Sequence, residues 1–462
     1  REAIVPTYTK EFSFKTQYNE TSFDFLKRLS ARYAQWFYFD GMRMQFGQIK
    51  NTEIKLINES SLHNFSIEAN LVSHKTSFSS YDYNSASRIK NGAEKTSEGS
   101  RDRFASLAIF KQPYIVRPGL ENGAYTSNAQ NKDEIDEMVK MQTAGRDANS
   151  IFYSGTSYLP IGLGQTFSIE NKNVEHHLLA VEIVHCSEVN GNYTCKFKAI
   201  PADVAAPHYT DVTAFAPAES QPAVVIDNND PEKMGRIKVE FFWNGWATKS
   251  DWMRVVQPYS GSGKGLYFRP EIGEEVQVSF EGNNAERPYV SGTYYNGKEM
   301  PDFFDAQNRI KGWKLPFGQL FKFIEKVGIW LSDPSGNEIQ LDEEGKNINV
   351  TSPETVTIRA KNIVFEASES ITYVAGTNIS ETAILNKTSS IGGILDTNVG
   401  LDKILHVAGD NHINIEGNSN SEVKKDRNLA SESKIITQSD LGHEFHSDKD
   451  IKNNSSEKTR QN

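Results

Sequence analysis

The stretch Asn228-Asn229-Asp230-Pro231-Glu232-Lys233-Met234-Gly235-Arg236-Ile237-Lys238-Val239-Glu240-Phe241 decides how the chain is read. Turn residues come first, with Asp230-Pro231 and Gly235 breaking any regular element. Then Ile237, Val239 and Phe241 alternate with Arg236, Lys238 and Glu240, the period of a strand with one buried face. Val276, Val278 and Phe280 repeat the alternation further on. Short strands separated by Gly and Pro turns predict a small barrel over 222–297.

Upstream, 150–215 also alternates in the β manner, with strands expected at 153–158, 166–170, 178–187 and 192–200. Residues 1–150 are mixed. Thr21-Ser22-Phe23-Asp24 carries a helix-capping pattern, and Leu26, Leu29 and Tyr33 follow at helical spacing. Aromatic strands are expected at 36–39 and 42–46 around Asp40-Gly41. A second helix is expected near 132–147, with Ile135, Met138, Val139 and Gln142 on one face. The Ser-, Asn-, Lys- and Glu-rich stretch 84–102 reads as an exposed loop.

Downstream, the texture changes at Gly336 to Asn, Ser, Thr, Ile and Val. Apolar residues recur every eight positions at Ile348, Val356 and Val364, and again at Val407, Ile415 and Val423. Glycines fall at 376, 392, 393, 400, 409 and 417. Short strands at a fixed period indicate a β-helix or fibre. So narrow a chain cannot bury both faces of its strands, so either the coil closes on itself or several chains wind together. From Lys424 onward the stretch is charged and keeps only a weak pattern.

The chain has 462 residues and a formal net charge of -10. That acidity argues against sequence-independent binding to phosphate backbones, which needs clustered Lys and Arg. No apolar run is long enough to form a membrane-spanning helix. The N-terminus, Arg1-Glu2-Ala3, has neither a start Met nor a signal-peptide pattern. The two cysteines, Cys186 and Cys195, flank Asn190-Gly191. If those two residues form the turn, the cysteines stand opposite each other, where a disulfide is geometrically feasible. Two free thiols remain the simpler reading, because an isolated pair without a signal peptide suggests a reducing compartment.

Several constellations reduce to structure. Gly261-Ser262-Gly263-Lys264-Gly265 fails the phosphate-loop pattern, since Pro258 and Gly265 stand where Gly and Ser or Thr are needed. Trp243, Trp246, Trp252 and Tyr259 offer stacking platforms, but Lys and Arg are sparse around them and the chain is acidic, so they are assigned to packing and subunit contact. His176-His177 are read as solvated. His443-Glu444-Phe445-His446 lacks companion ligands, though an ion on a symmetry axis there stays open. The aromatics Phe303, Phe304, Trp313, Phe317, Phe321, Phe323 and Ile324 are expected to be buried between subunits.

The segment 224–297 resembles the OB-fold region of the VgrG spike proteins of type VI secretion systems. The likeness rests on the opening string, on Trp252-Met253-Arg254-Val255-Val256-Gln257-Pro258-Tyr259, on the run from Gly265 to Val276, and on Arg287-Pro288-Tyr289-Val290-Ser291-Gly292. The run from Gln17 to Leu29 is similar to the family's hub segment, and Ser335-Gly336-Asn337-Glu338-Ile339-Gln340-Leu341-Asp342 to the start of its needle. In that family a first barrel precedes the hub segment, so residues upstream of Arg1 are expected.

The resemblance implies a mainly β chain: a hub-like β-barrel region with a few helices (1–215), an OB-fold neck (222–297), a linker (298–335) and a trimeric β-helical needle (336–462). It implies a homotrimeric cell-puncturing spike that delivers effectors, seated on a hexameric tube protein and baseplate proteins. A tip-cap protein and effectors are expected at the needle end, with transient contact with a target membrane and no nucleic acid. The spike of an extracellular contractile particle or phage tail is the alternative. No catalytic, cofactor or metal residues are expected, and no enzyme activity. The trimer-core candidates are Ile348, Val356, Val364, Val407, Ile415 and Val423. Such a chain stays in the cytoplasm before firing and is secreted on firing.

Overall fold

In the computed structural model the cap at Thr21 forms as its sequence suggests. The Thr21 hydroxyl accepts from the Asp24 backbone N–H at 3.1 Å, and α1 runs Ser22–Arg32. The second helix, α2, spans Lys132–Ala148 and turns Ile135, Met138 and Val139 inward; Asn131 caps it through the Glu134 N–H. The structure describes residues 4–457 except 13, 71, 74, 91–94, 97–101, 111–123, 244, 246 and 247. These residues belong to two units, Arg1–Thr357 and Ile358–Asn462.

In the first unit a six-stranded sheet has the order Lys50–Ile57, Gln165–Asn171, Val174–Ser187, Tyr193–Pro201, Ile151–Ser157, Leu62–Ala69. Only the first pair is parallel. Alternation fills one face with Tyr153, Phe167, Ile169, Leu178, Cys195 and Phe197. The expected loop at 84–102 contributes a strand instead, Ser87–Lys90, paired with Phe78–Asp82; 91–94 and 97–101 lie outside the described residues.

The neck sheet has the order Lys238–Phe241, Gln221–Asp227, Glu275–Phe280, Pro288–Thr293, all antiparallel. Its core is Val225, Ile237, Val239, Val276, Val278 and Val290, each at most 1% exposed. Neither this sheet nor the six-stranded one closes as a continuous ladder, so the expected barrels are open sheets among the described residues. In the neck, single bridges Ile237–Met253 and Val255–Val290 bring 249–255 against both edges.

Next comes a five-stranded antiparallel meander: Ile310–Lys314, Leu320–Ile324, Gly328–Ser332, Glu338–Asp342 and Asn347–Thr351. The expected border between linker and needle falls at one of its turns. There the Asp333 carboxylate accepts from the Ser335 hydroxyl (2.5 Å), Asn337 Nδ2 (2.9 Å) and Ser335 N (2.8 Å), and these bonds, the hydroxyl's first, hold its pKa down to about 2. Gly328 is required where it stands: its φ is +146°, and a Cβ would lie 2.0 Å from the Leu341 carbonyl oxygen.

The second unit has no backbone ladder of its own among the described residues. It consists of extended segments broken by bends at 368–369, 376–377, 384–385, 392–393, 400–401, 408–409 and 416–417. The same eight-residue spacing continues through 424–425, 432–433, 440–441, 448–449 and 456–457, past the point where the sequence pattern weakens. The six glycines expected to punctuate the needle all fall on bends.

Candidate functional site

The N-terminal segment meets the neck at a buried carboxylate. Glu286 has 3% of its side chain exposed and accepts from Arg32 Nη1 (2.6 Å), Lys15 Nζ (2.7 Å) and Arg28 Nη1 (3.0 Å). The two arginines sit four residues apart on α1 and therefore share a face. Each has a second partner: Arg28 binds Glu20 at 2.7 Å, and Arg32 donates to the Asn128 carbonyl at 2.9 Å. Burial works against the Glu286 charge, but Arg32 and Lys15 outweigh it and hold the carboxyl below its ordinary range. Burial lowers the Lys15 pKa, and the nearby Arg32 charge lowers it further. Asn284 adds a neutral tie, donating to Asn128 Oδ1 at 2.7 Å. With every oxygen occupied by a cation, Glu286 serves as a cross-link between the helix and the neck. Sequence reasoning missed it; the one local signal was the like-charged pair Arg28 and Arg32 on one helix face.

The string that decides the fold is built around a second buried pair. The Arg236 guanidinium grips Asp230 with both arms, Nη2 to Oδ1 at 2.8 Å and Nε to Oδ2 at 3.1 Å. Asp230 also accepts from the backbone N–H groups of Glu232, Met234 and Arg236 at 3.0, 2.9 and 3.2 Å. The Arg236 contact is the main reason its carboxyl sits far below the ordinary range. The turn is therefore a closed polar loop that delivers Ile237 to the core, with Lys233 and Gly235 at positive φ.

The expected stacking platform is used for packing. Trp243 stacks on Phe241 at 4.1 Å and donates to Gln221, while Lys238 lies 4.9 Å over Trp252. Tyr259 is exposed and Trp246 lies outside the described residues. The glycine-rich loop is a tight hairpin, Ser260–Gly261 against Lys264–Gly265. The meander carries an aromatic ladder, Trp313 on Phe321 at 5.5 Å and Phe321 on Phe323 at 4.6 Å, with Phe304 and Phe317 more than 80% exposed.

Two local readings are corrected. His176 is buried and bonded to the Tyr153 hydroxyl (3.1 Å) and Asp102 (3.3 Å), because strand alternation sends only His177 outward. Cys186 does not face Cys195. Glu188 N bonds to Asn192 O around a three-residue loop with Gly191 at φ +90°, which shifts the register by one, so His185 pairs with Cys195 and Cys186 with Thr194. The thiols thus lie on opposite faces of the hairpin.

All six core candidates are exposed in the lone chain. Ile348 lies in the last meander strand and Val356 just beyond it. In the second unit, Val407, Ile415 and Val423 stand immediately before a bend, with Ile391 and Val399 at the same position. These five are 43–50% exposed, whereas the other large apolar side chains between 391 and 423 are 71–95% exposed. They therefore face the inside of the bends. Val364 stands four residues before its bend and is 81% exposed. His446 lies 3.4 Å from Glu444, both exposed, and no cluster of three metal-ligating side chains occurs among the described residues.

Residues 221–295 match the family described as the type VI secretion system/phage-baseplate injector OB domain. The neck is thus an injector OB domain, one class shared by two kinds of contractile machine. The chain is 23% identical over 342 residues to the spike protein VgrG1c of Pseudomonas aeruginosa, covering 63% of this chain and 44% of that protein. It is 34% identical over 87 residues to VgrG1a of the same organism, and 32% identical over 84 residues to the actin cross-linking toxin VgrG1 of Vibrio cholerae; each match covers 17% of this chain, and 14% and 8% of those proteins. Among solved structures, the E. coli c3393 protein, a type VI secretion component, overlaps at a TM-score of 0.36 and 14% identity, covering 60% of this chain and 62% of that one. A chain of the PdpA-VgrG complex overlaps at a TM-score of 0.42 and 8% identity, covering 73% and 70%. The chain is similar to VgrG spike proteins, and it spans less than half the length of the curated relatives it matches.

Proposed function

We propose that this chain is the cell-puncturing spike of a type VI secretion machine, working mechanically as a homotrimer. The observation that carries the reading is the succession of an injector OB domain and a segment bent every eight residues with its apolar side chains bare. A single copy leaves those side chains in water, whereas three copies can share one dry axis and pair their open strand edges. In this assembly 1–215 is the hub, 222–297 the neck, 298–335 the connection and 336–462 the needle. Val407, Ile415 and Val423 line the axis, and Ile348, Val356 and Val364 pack between neighbouring chains. The hub sits on the hexameric tube and baseplate. Effectors or a cap ride at the tip, and the spike is secreted on firing and crosses the target membrane briefly. The chain itself does no catalysis in this reading, although one relative is named as an actin cross-linking toxin.

A phage or extracellular contractile particle is the second reading, favoured by the breadth of the OB family, whose description covers phage baseplates as well. Light scattering on the purified chain tests the assembly. Three times 51.9 kDa is expected, with Val407→Asp, which places three like charges on one axis, reducing that mass or the thermal stability. A parent protein at the single-chain mass refutes the needle.

A further inference from the structure

The position immediately before each bend changes character along the second unit. From the bend at 368 to the bend at 424 it holds Ala367, Ala375, Ala383, Ile391, Val399, Val407, Ile415 and Val423. At the next four bends it holds Ser431, Ser439, Ser447 and Ser455. The switch is complete, and the spacing of the bends does not change across it.

Two further observations coincide with it. The bends up to 416–417 include those that carry glycine, whereas those from 424–425 onward carry Lys424-Lys425, Asp440 and Asp448-Lys449. The large apolar side chains beyond the switch are 57–101% exposed, Ile451 and Ile435 the least, and none of them stands immediately before a bend.

We infer that the needle is made of two mechanically different parts: a dry, tightly held stem ending near Val423, and a distal part whose hydrated interior lets it open on its own. This rests on the trimer proposed above. In a trimer the inward position of each turn contributes three side chains to the axis. Three Val or Ile there remove apolar surface from water at every layer, the main source of cohesion for so thin a fibre. Ser431, Ser439, Ser447 and Ser455 each accept from the backbone N–H two residues on at 3.2–3.4 Å, and the hydroxyl hydrogen is easily satisfied by water, so the distal layers bury little apolar surface and gain little from closing. Local opening follows the least cohesive stretch, so the distal turns exchange and fray while the stem stays shut. The charged corners, brought together threefold, act in the same direction. The stem transmits thrust, and the tip yields at contact without unwinding the shaft.

Hydrogen exchange followed by mass spectrometry on the full chain, under conditions where its mass in solution is known, tests this. Peptides from 429–457 are expected to exchange at least about tenfold faster than peptides from 391–423, the span expected between a locally opening and a globally held segment. In the double variant Ser439→Val/Ser447→Val, exchange in the distal peptides should slow while the stem is unchanged. Equal protection of the two parts in a trimeric parent overturns the inference and leaves the trimer standing, as does a double variant whose distal exchange does not slow. A stem that exchanges as fast as an unfolded chain overturns the trimer, and this inference with it.

Discussion

Replacing Glu286 by Gln keeps the shape of the junction and removes its only buried negative charge next to Lys15, Arg28 and Arg32. Breaking a buried ion pair from one side costs about 3–5 kcal/mol. The cost should fall at the low end here, because Arg28 keeps Glu20 and Arg32 keeps the Asn128 carbonyl. Lys15, held below its ordinary pKa by burial and then by the Arg32 charge, is left beside that charge without the carboxylate. About 3 kcal/mol is expected, and at about 2 °C per kcal/mol for a unit this large the calorimetric transition should fall by about 6 °C. The paired variant Lys15→Met should recover part of the loss in the Glu286→Gln background, with a coupling of about 1–2 kcal/mol in the double-mutant cycle. The cycle matters because a lost packing contact would lower the transition without coupling to Lys15. A Glu286→Gln protein melting within about 1 °C of the parent, or a cycle that closes at zero, would refute the view that this carboxylate holds the helix to the neck.

Asp230→Asn leaves the Arg236 guanidinium, 6% exposed, with the largely exposed Glu232 carboxylate at 3.4 Å in place of its buried partner, and about 3 kcal/mol should disappear from the denaturant stability of the neck, read through fluorescence of the nearby tryptophans. Glu286 and Asp230 both have folded pKa values below the ordinary carboxylate range. Their contribution is therefore present above the unfolded value of about 4 and lost as pH falls through the folded ones, so the denaturant midpoint should drop between about pH 5 and 3, and less steeply in Glu286→Gln. Cys186 and Cys195 lie on opposite faces of one hairpin, so mild oxidation should give no peptide joining them; such a peptide in a non-reducing digest would contradict the register.

What could be read in the sequence was local and periodic. The Thr21 cap and the alternation at Ile237, Val239 and Phe241 are fixed by residues within a few positions of one another. Long-range contacts were beyond its reach. Glu286 meets Arg32 from 254 residues away, and nothing in the strand pattern around it announces a partner. The hairpin at Asn190-Gly191 failed at intermediate range. The dipeptide announced a turn, but a two-residue and a three-residue loop have the same local signature and opposite consequences for which side chains meet.

The needle falls between these cases. The period of eight was legible because apolar residues recur often enough to reveal it, but its phase was not. Ile348, Val356 and Val364 form one run and Val407, Ile415 and Val423 another, and the interval between Val364 and Val407 is not a whole number of periods. Only the bends supply the missing reference. Measured from them, Val407, Ile415 and Val423 occupy the inward position, while Val364 lies in mid-segment. The sequence blurs this because, in the trimer proposed above, each side chain would face either the axis or a neighbouring chain, and both environments select apolar residues. The same reference shows why the pattern after Lys424 looks weak: the fold's spacing persists there and only the inward side chain changes to Ser. Backbone period and the residue before each bend are thus separate variables in this segment, and in the proposed trimer a loss of hydrophobic pattern marks a change in cohesion along the fibre, with the bends continuing to 457.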